Sequence, residues 1–335
     1  LFVSYRLSAS SHFDLMTETP SDNDAATPRI VFMGTPDFAA PSLRALVEGG
    51  LKPIAVVTGS DKKRGRGQVL SSTPIKLLAQ ELGIDLILQP ESVNDPHFAS
   101  EIQSLQADVI VVVAFRILPE AVFSASSLGT FNLHGSLLPK YRGAAPINRA
   151  VMAGEVETGV TTFLLQRKVD TGNVIMQHSM PISPDETAGD VHDRMMILGA
   201  EVVLETTRRI LDDRIEPLPQ DDSLATPAPK IFKDDCAIRW SEDSGSVHNH
   251  VRGLSPFPGA YTNLGGKQLK IFRTRQIEGS GSPGQILQSE GMLIAACGTG
   301  AVEVLEIQLA GKKRMSSADF LRGSSLESGL QFSAD

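Results

Sequence analysis

From Arg29 onward, short apolar runs alternate with stretches of helical period. Residues 29–34 read as a strand ending at Gly34, and residues 37–50 as an amphipathic helix closed by Gly49 and Gly50. A second strand is expected over 53–59, a second helix over 72–84 and a further strand over 107–115. The Val- and Ile-rich runs do not alternate with polar residues, so both of their faces are covered. That is the mark of a parallel sheet inside an α/β layer structure. The N-terminal half is therefore expected to be doubly wound, with ligands beyond the carboxyl ends of its strands.

After a strand at 159–165 and a helical region from Ala188 to about Asp212, the pattern changes. The stretch 214–230 holds four prolines and little apolar periodicity, which reads as an extended linker. Beyond it come a short helix around Val247 to Arg252 and brief β-like runs separated by glycines, the pattern of a small β-barrel, with an OB-type barrel one candidate. The expected organisation is an N-terminal extension at 1–28, a first domain at 29–213, a linker at 214–232 and a β-barrel domain at 233–335.

Composition narrows the class. The longest apolar run, 109–115, stops after seven residues, far short of the roughly 20 that a membrane helix needs. A soluble protein is expected. Cys236 and Cys297 are the only cysteines, and their spacing supports neither a disulfide framework nor a zinc site, so a reducing, cytoplasmic setting fits best. The first 28 residues lack a long apolar core and carry Asp14, Glu18, Asp22 and Asp24 against Arg6, the wrong balance for a secretory or mitochondrial leader. They read either as an over-long start upstream of Met16 or as a real disordered extension.

A net charge of −8 excludes a generally basic nucleic-acid binder, so any such contact must come from local clusters. Two clusters stand out. Lys62, Lys63, Arg64 and Arg66 lie among glycines in a stretch that reads as a mobile basic loop able to follow a phosphate backbone. Lys312, Lys313 and Arg314 repeat the theme in the C-terminal barrel.

The chemistry concentrates in Phe-Asn-Leu-His-Gly-Ser-Leu-Leu-Pro-Lys-Tyr-Arg-Gly-Ala-Ala-Pro at 131–146. Strand period places Asn132 and His134 on one side and Leu133 on the other, so the polar pair can face one cleft. The loop that follows is stiffened by Pro139 and Pro146 and suits a flat heterocycle, with backbone groups at its edge and Leu137 and Leu138 against its faces. Asp170, in Val-Asp-Thr-Gly, reads either as a simple turn former or as a carboxylate partner of His134. Gly34-Thr-Pro-Asp-Phe-Ala39 is no dinucleotide fingerprint.

Residues 131–150 resemble the central motif of the 10-formyltetrahydrofolate-using formyltransferases: Asn-x-His, then Ser-Leu-Leu-Pro, then a later Asp. Segments at 32–39, 65–79, 134–147, 157–165, 169–175 and 310–321 resemble the members that act on methionyl-tRNA, over nearly the whole chain from Arg29 to Arg322. The resemblance implies a Rossmann-like catalytic domain with a parallel-rich sheet, followed by an OB-like β-barrel domain that binds tRNA. It implies a catalytic trio of Asn132, His134 and Asp170, a folate-binding segment of Ser136, Leu137, Leu138 and Pro139 with Phe115 on the pocket wall, and the basic loop as the part entering the acceptor stem of initiator tRNA. The implied reaction moves the formyl group of 10-formyltetrahydrofolate to the methionyl amine, with no metal and a monomeric enzyme; an amino-sugar formyltransferase using the same donor is the alternative. Two departures are visible: residues 111–122 look one residue shorter than the family pattern around Phe115 and Arg116, and residues 254–262 lack the usual Trp, leaving Trp240 as the only one.

Overall fold

The computed structural model describes residues 27–64, 69–288, 291–323 and 331–333. The reading of residues 1–26 and that of Arg66 lie outside them.

The first body is built on a sheet that runs β5-β2-β1-β6-β7-β8-β9. Its strands are β1 (Ile30–Gly34), β2 (Ala55–Val57), β5 (Ile87–Leu88), β6 (Val109–Val113), β7 (Gly129–His134), β8 (Glu157–Leu164) and β9 (Val174–Pro181). The pairs from β5 across to β7 are parallel, and β7–β8 and β8–β9 are antiparallel. β1 and β6 are buried at every position, which is why their sequences run apolar without alternation. Around the sheet lie α1 (Ala40–Glu48), α2 (Pro74–Glu81), α3 (Pro96–Ser104), the short α4 (Glu120–Phe123), α5 (Pro146–Met152) and α6 (Ala188–Leu211). Ile30, Phe32, Val109, Val111 and Phe131 face the layer of α1 and α6, while Val31, Met33, Ile110 and Val112 face Phe98 and Ile102 of α3. α6 starts at a capping box in which Thr187 and Asp190 satisfy each other's backbone donors, a feature worth roughly 1 kcal/mol.

The expected helices and strands are present, with ends moved by one to three residues. Three helices of this body are additional to that reading, α3, the short α4 and α5, and α3 and α5 each open on a proline in the first turn. The stretch read as a mobile basic loop also differs: β3 (Lys62–Arg64) pairs antiparallel with β4 (Val69–Ser71), so Lys62, Lys63 and Arg64 sit on a strand of a hairpin.

The second body holds α7 (Ser244–Gly253) and a sheet ordered β10-β11-β14-β13-β12, with β15 pairing β14. Its strands are β10 (Ala260–Leu264), β11 (Lys267–Ile277), β12 (Ile286–Gln288), β13 (Leu293–Ala296), β14 (Ala301–Leu309) and β15 (Met315–Ser316), all antiparallel, followed by α8 (Ser317–Arg322). Register shifts in β11 curl this sheet over a core that includes Trp240, which stacks on Phe332. The two bodies meet where α7 packs on α5. Asn148 donates to the Gly253 carbonyl, and Arg252, only 5% exposed, donates to the carbonyls of Ser183 and Glu186. A side chain at Gly253 would collide with the Met152 backbone, so glycine is what allows the approach.

The proline-rich stretch is extended, as read, but it is no free spacer. Leu218 bridges to Val174, and the backbone of 226–228 exchanges hydrogen bonds with Arg142 and Ala145. It lies as a strap across the loops that follow β7 and β8.

Candidate active site

β7 delivers Asn132 and His134 to one side, and both line a cavity of about 600 Å³ beyond the carboxyl ends of β1, β6 and β7. This is the crevice that an open α/β sheet leaves for a ligand. Asp170, from the loop joining β8 to β9, faces the same cavity with φ at +54°, a left-handed conformation that a short polar side chain tolerates better than most. His134 and Asp170 are 6% and 9% exposed, so both reach the cavity through a small opening.

The hydrogen bonds around His134 fix its chemistry. Nε2 lies 2.8 Å from the Tyr141 carbonyl oxygen, which can only accept, so Nε2 is protonated. The nitrogen left for the cavity is Nδ1, 3.9 Å from Asp170 Oδ2. That separation is too long for a hydrogen bond. The Asp170 carboxylate is held by the Gly143 N–H at 2.9 Å instead. A direct grip of Asp170 on the His134 ring, one of the two readings of this Asp, is therefore replaced by two groups facing each other, each anchored to the same loop.

That loop owes its path to the segment before it. Ser136 Oγ donates to the Lys140 carbonyl, the Leu138 N–H donates to Thr161 Oγ1, and Gln177 donates to the Leu138 carbonyl. Ser136 and Leu138 are buried, while Leu137 and Pro139 line a separate pocket of about 420 Å³ with Tyr141 and Glu155. The four residues expected as a ligand wall are thus turned away from the cavity holding Asn132, His134 and Asp170. The reason is that Thr161 of β8 and Gln177 of β9 take the backbone groups of Ser136 and Leu138, the Ser136 hydroxyl closes on Lys140, and Leu138 is buried. Their effect on the cavity is indirect, through the turn that presents the Tyr141 carbonyl and the Gly143 N–H.

Phe115 does line the cavity, and with Ile117, Val169, Asn132 and Asp170 it also borders an adjoining slot of about 90 Å³. Val112, Leu118, Phe123 and Leu165 add to the slot's apolar wall, and Arg116, Gln166 and Arg167 give it polar edges.

Profiles of two families match this chain: Formyl transferase over residues 28–207, and Formyl transferase, C-terminal domain, over residues 230–325. Methionyl-tRNA formyltransferase of Citrifermentans bemidjiense is 47% identical over 304 residues, covering 90% of this chain and 95% of that one. The same-named protein of Chlorobium luteolum is 49% identical over 303 residues, covering 88% and 96%. The chain belongs to the methionyl-tRNA formyltransferase family. Its fold is also that of an N-formyltransferase from Helicobacter canadensis, solved with folinic acid and dTDP-3-aminofucose: the TM-score is 0.65 at 19% identity, covering 83% of this chain and 98% of that one.

Within the formyltransferase frame, the cationic residues do not behave alike. Lys62, Lys312 and Lys313 are exposed, the last two in the turn between β14 and β15. Arg314 is occupied, since its guanidinium pairs with both oxygens of Glu306 and lies 4.2 Å from the Phe272 ring centroid. No helix among the described residues is long and apolar enough to cross a membrane.

Several residues that line the cavity or hold its loops have no sequence signal of their own. Phe38 and His192 meet across the cavity rim with ring centroids 5.2 Å apart, one from the turn before α1 and the other from α6. Tyr141 lies inside the conspicuous loop, yet it acts through a backbone carbonyl, which no residue type announces. Gln220, in the strap, touches the loops of Asp170 and Arg142 from 50 and 78 residues away in sequence.

Proposed function

We propose that this chain transfers the formyl group of 10-formyltetrahydrofolate to the amino group of methionine carried by initiator tRNA. One observation carries the reading: an amide donor, an imidazole and a carboxylate, Asn132, His134 and Asp170, converge on one cavity at the carboxyl edge of the sheet. The family relationship names the acceptor class, and the folinic acid bound in the Helicobacter canadensis protein supports a reduced folate as donor.

The residues present fit such a donor. The slot beside Asn132 and Asp170 has apolar walls from Phe115, Ile117, Leu165 and Val169 and polar edges from Arg116, Gln166 and Arg167, a combination that suits a flat polar heterocycle. The bound donor supplies an activated formyl carbon. In the net reaction the amine nitrogen gains a bond to that carbon, the carbon loses its bond to folate N10, and one proton passes from the amine to the departing nitrogen. Asn132 offers its side-chain N–H to the formyl oxygen as negative charge grows there, a contact worth roughly 3–4 kcal/mol of barrier. His134 holds its Nε2–H on Tyr141, so Nδ1 is its working atom, accepting or returning a proton on the amine side. Asp170 sets its carboxylate 3.9 Å from that nitrogen, in the cavity that Asn132 also lines, where the acceptor amine would enter.

For the RNA partner, the basic hairpin around Lys62 and the exposed Lys312 and Lys313 supply phosphate contacts on an otherwise acidic protein. The curled C-terminal sheet, fixed to the first body through α5 and α7, is assigned to tRNA binding.

The test offers the purified protein radiolabelled 10-formyltetrahydrofolate with methionyl initiator tRNA and, in parallel, an aminated nucleotide sugar. Label in the tRNA is expected. Label in the sugar alone would replace the acceptor while keeping the chemistry, and label in neither would overturn the reading.

A further inference from the structure

We infer that Gln220 is a positioning residue for formyl transfer: its side-chain amide ties the Asp170 loop to the loop bearing Tyr141 and Gly143, and so sets where the carboxylate and the imidazole stand. The inference rests on the reaction proposed above, since it concerns the same trio.

The geometry is a four-way clamp. Gln220 Nε2 donates to the carbonyl oxygens of Asp170 at 3.0 Å and Gly172 at 2.8 Å. Gln220 Oε1 accepts from Arg142 Nε at 3.1 Å and Nη2 at 2.7 Å. Both hydrogens and both lone pairs of the amide are used, which is the full capacity of a glutamine side chain. One orientation of the amide is therefore fixed by its surroundings: reversing it would set oxygen against two carbonyls and NH₂ against a guanidinium.

What the clamp joins is the active site itself. Asp170 has a left-handed backbone, and a hydrogen bond to its own carbonyl holds it there. Arg142 lies between Tyr141, whose carbonyl takes His134 Nε2–H, and Gly143, whose N–H takes the Asp170 carboxylate. Tyr141 is left-handed as well, with φ at +61°. The strap holds the same loop from its backbone side: the Tyr141 N–H donates to Thr226 Oγ1, and the Arg142 N–H donates to the Thr226 carbonyl. Asp222 adds a second acceptor for Arg142 at 2.7 Å. Gln220 does not line the cavity, so it acts on the reaction through Asp170 and His134.

Two variants separate this role from bulk stability. Gln220→Ala removes the whole clamp. Gln220→Glu keeps shape and the Arg142 contact but has no hydrogen to donate to Asp170 or Gly172. Both are compared with the unaltered protein for transfer of labelled formyl to methionyl-tRNA, for thermal midpoint, and for amide hydrogen exchange of peptides spanning 140–145 and 168–174. The expected result is a loss in kcat of about tenfold or more for both variants, with KM for the tRNA within about threefold. Faster exchange in those two peptides is expected alongside it. Adding Gln220→Ala to Asp170→Asn should cost no further activity, because residues acting through one another are not additive.

The inference is overturned by either variant keeping full kcat, by unchanged exchange in both peptides, or by losses that multiply in the double variant. Failure of the unaltered protein to transfer formyl at all would instead sink the proposed reaction, and this role with it. Should Gln220→Ala fail to fold, Gln220→Glu alone decides through kcat and exchange.

Discussion

His134 Nδ1 stands 3.9 Å from Asp170 Oδ2, and the two are held apart by one loop: Tyr141 takes the far side of the ring at 2.8 Å, and Gly143 holds the carboxylate at 2.9 Å. The imidazole and the carboxylate are thus placed by backbone atoms, close enough that one group approaching from the cavity can meet both. Four consequences can be measured.

Removing the imidazole should remove the chemistry without unfolding the protein. His134→Ala is expected to lower kcat by about 10² to 10⁴ while the protein still folds, with some loss of thermal midpoint because the buried ring also packs edge-on against Phe163. Asn132→Ala is expected to cost about 10² to 10³ in kcat, with donor KM little changed. An active His134→Ala would show that the proton passes elsewhere.

The three C-terminal cations should separate in a salt titration of tRNA binding. Lys312→Ala and Lys313→Ala, like Lys62→Ala in the hairpin, are each expected to reduce the slope of log K against log salt by about 1. Arg314→Ala should change the slope less and lower the melting temperature more, since Arg314 already pairs with Glu306 and covers Phe272. Equal slopes for all four variants would contradict the assignment.

Gly143 is required on two counts. Its φ is +130°, and a Cβ there would lie 2.5 Å from the Ala228 carbonyl oxygen in the strap. Gly143→Ala is expected to destabilise by about 1–3 kcal/mol and to lower kcat as well, by shifting the N–H that holds Asp170. Gly311→Ala is a control: its φ is +75° with nothing within 4 Å of the added carbon, so a smaller loss of stability and no loss of kcat are expected.

Acid should weaken the second body through His250. Burial lowers its pKa below the usual 6.5, outweighing a hydrogen bond with the Cys236 backbone and the charge of Glu242, which favour protonation; Arg239 and Arg149 oppose it. Its Nε2 is buried without a hydrogen-bond partner among the described residues. The folded ring is therefore neutral where the unfolded one binds a proton, so stability is full above pH 6.5 and falls as the pH drops toward the lowered value. Denaturant melts between pH 7.5 and 5.5 should show this slope, and His250→Gln should flatten it.

Much of the architecture was written in local pattern. β1 and β6 are central and buried on both faces, so their composition alone marked a parallel sheet. α6 carried its own start signal in Thr187 and Asp190. Asn132 and His134 were legible as a pair because strand alternation is a local rule, and their loop was conspicuous. The pairing of β3 with β4 was not, because a charged run with glycines carries no β pattern, and only that pairing makes it a strand.

The Asn132 and His134 pair, the apolar sheet and the two basic clusters were legible in the sequence itself, since each follows from spacing within about ten residues; Asp170, 36 residues beyond His134, joined the pair only through the family resemblance. Only the tertiary structure decided that Ser136 to Pro139 face away from the cavity, because Thr161 of β8 and Gln177 of β9 take the backbone groups of Ser136 and Leu138 and Leu138 is buried. Likewise, it alone decided that a carbonyl of Tyr141 fixes the His134 tautomer, and that a proline-rich strap reaches back 50 residues to hold Asp170. Such contacts join backbone atoms and distant loops, and their partners are chosen by how the chain packs, for which no residue type in the local pattern is a signal.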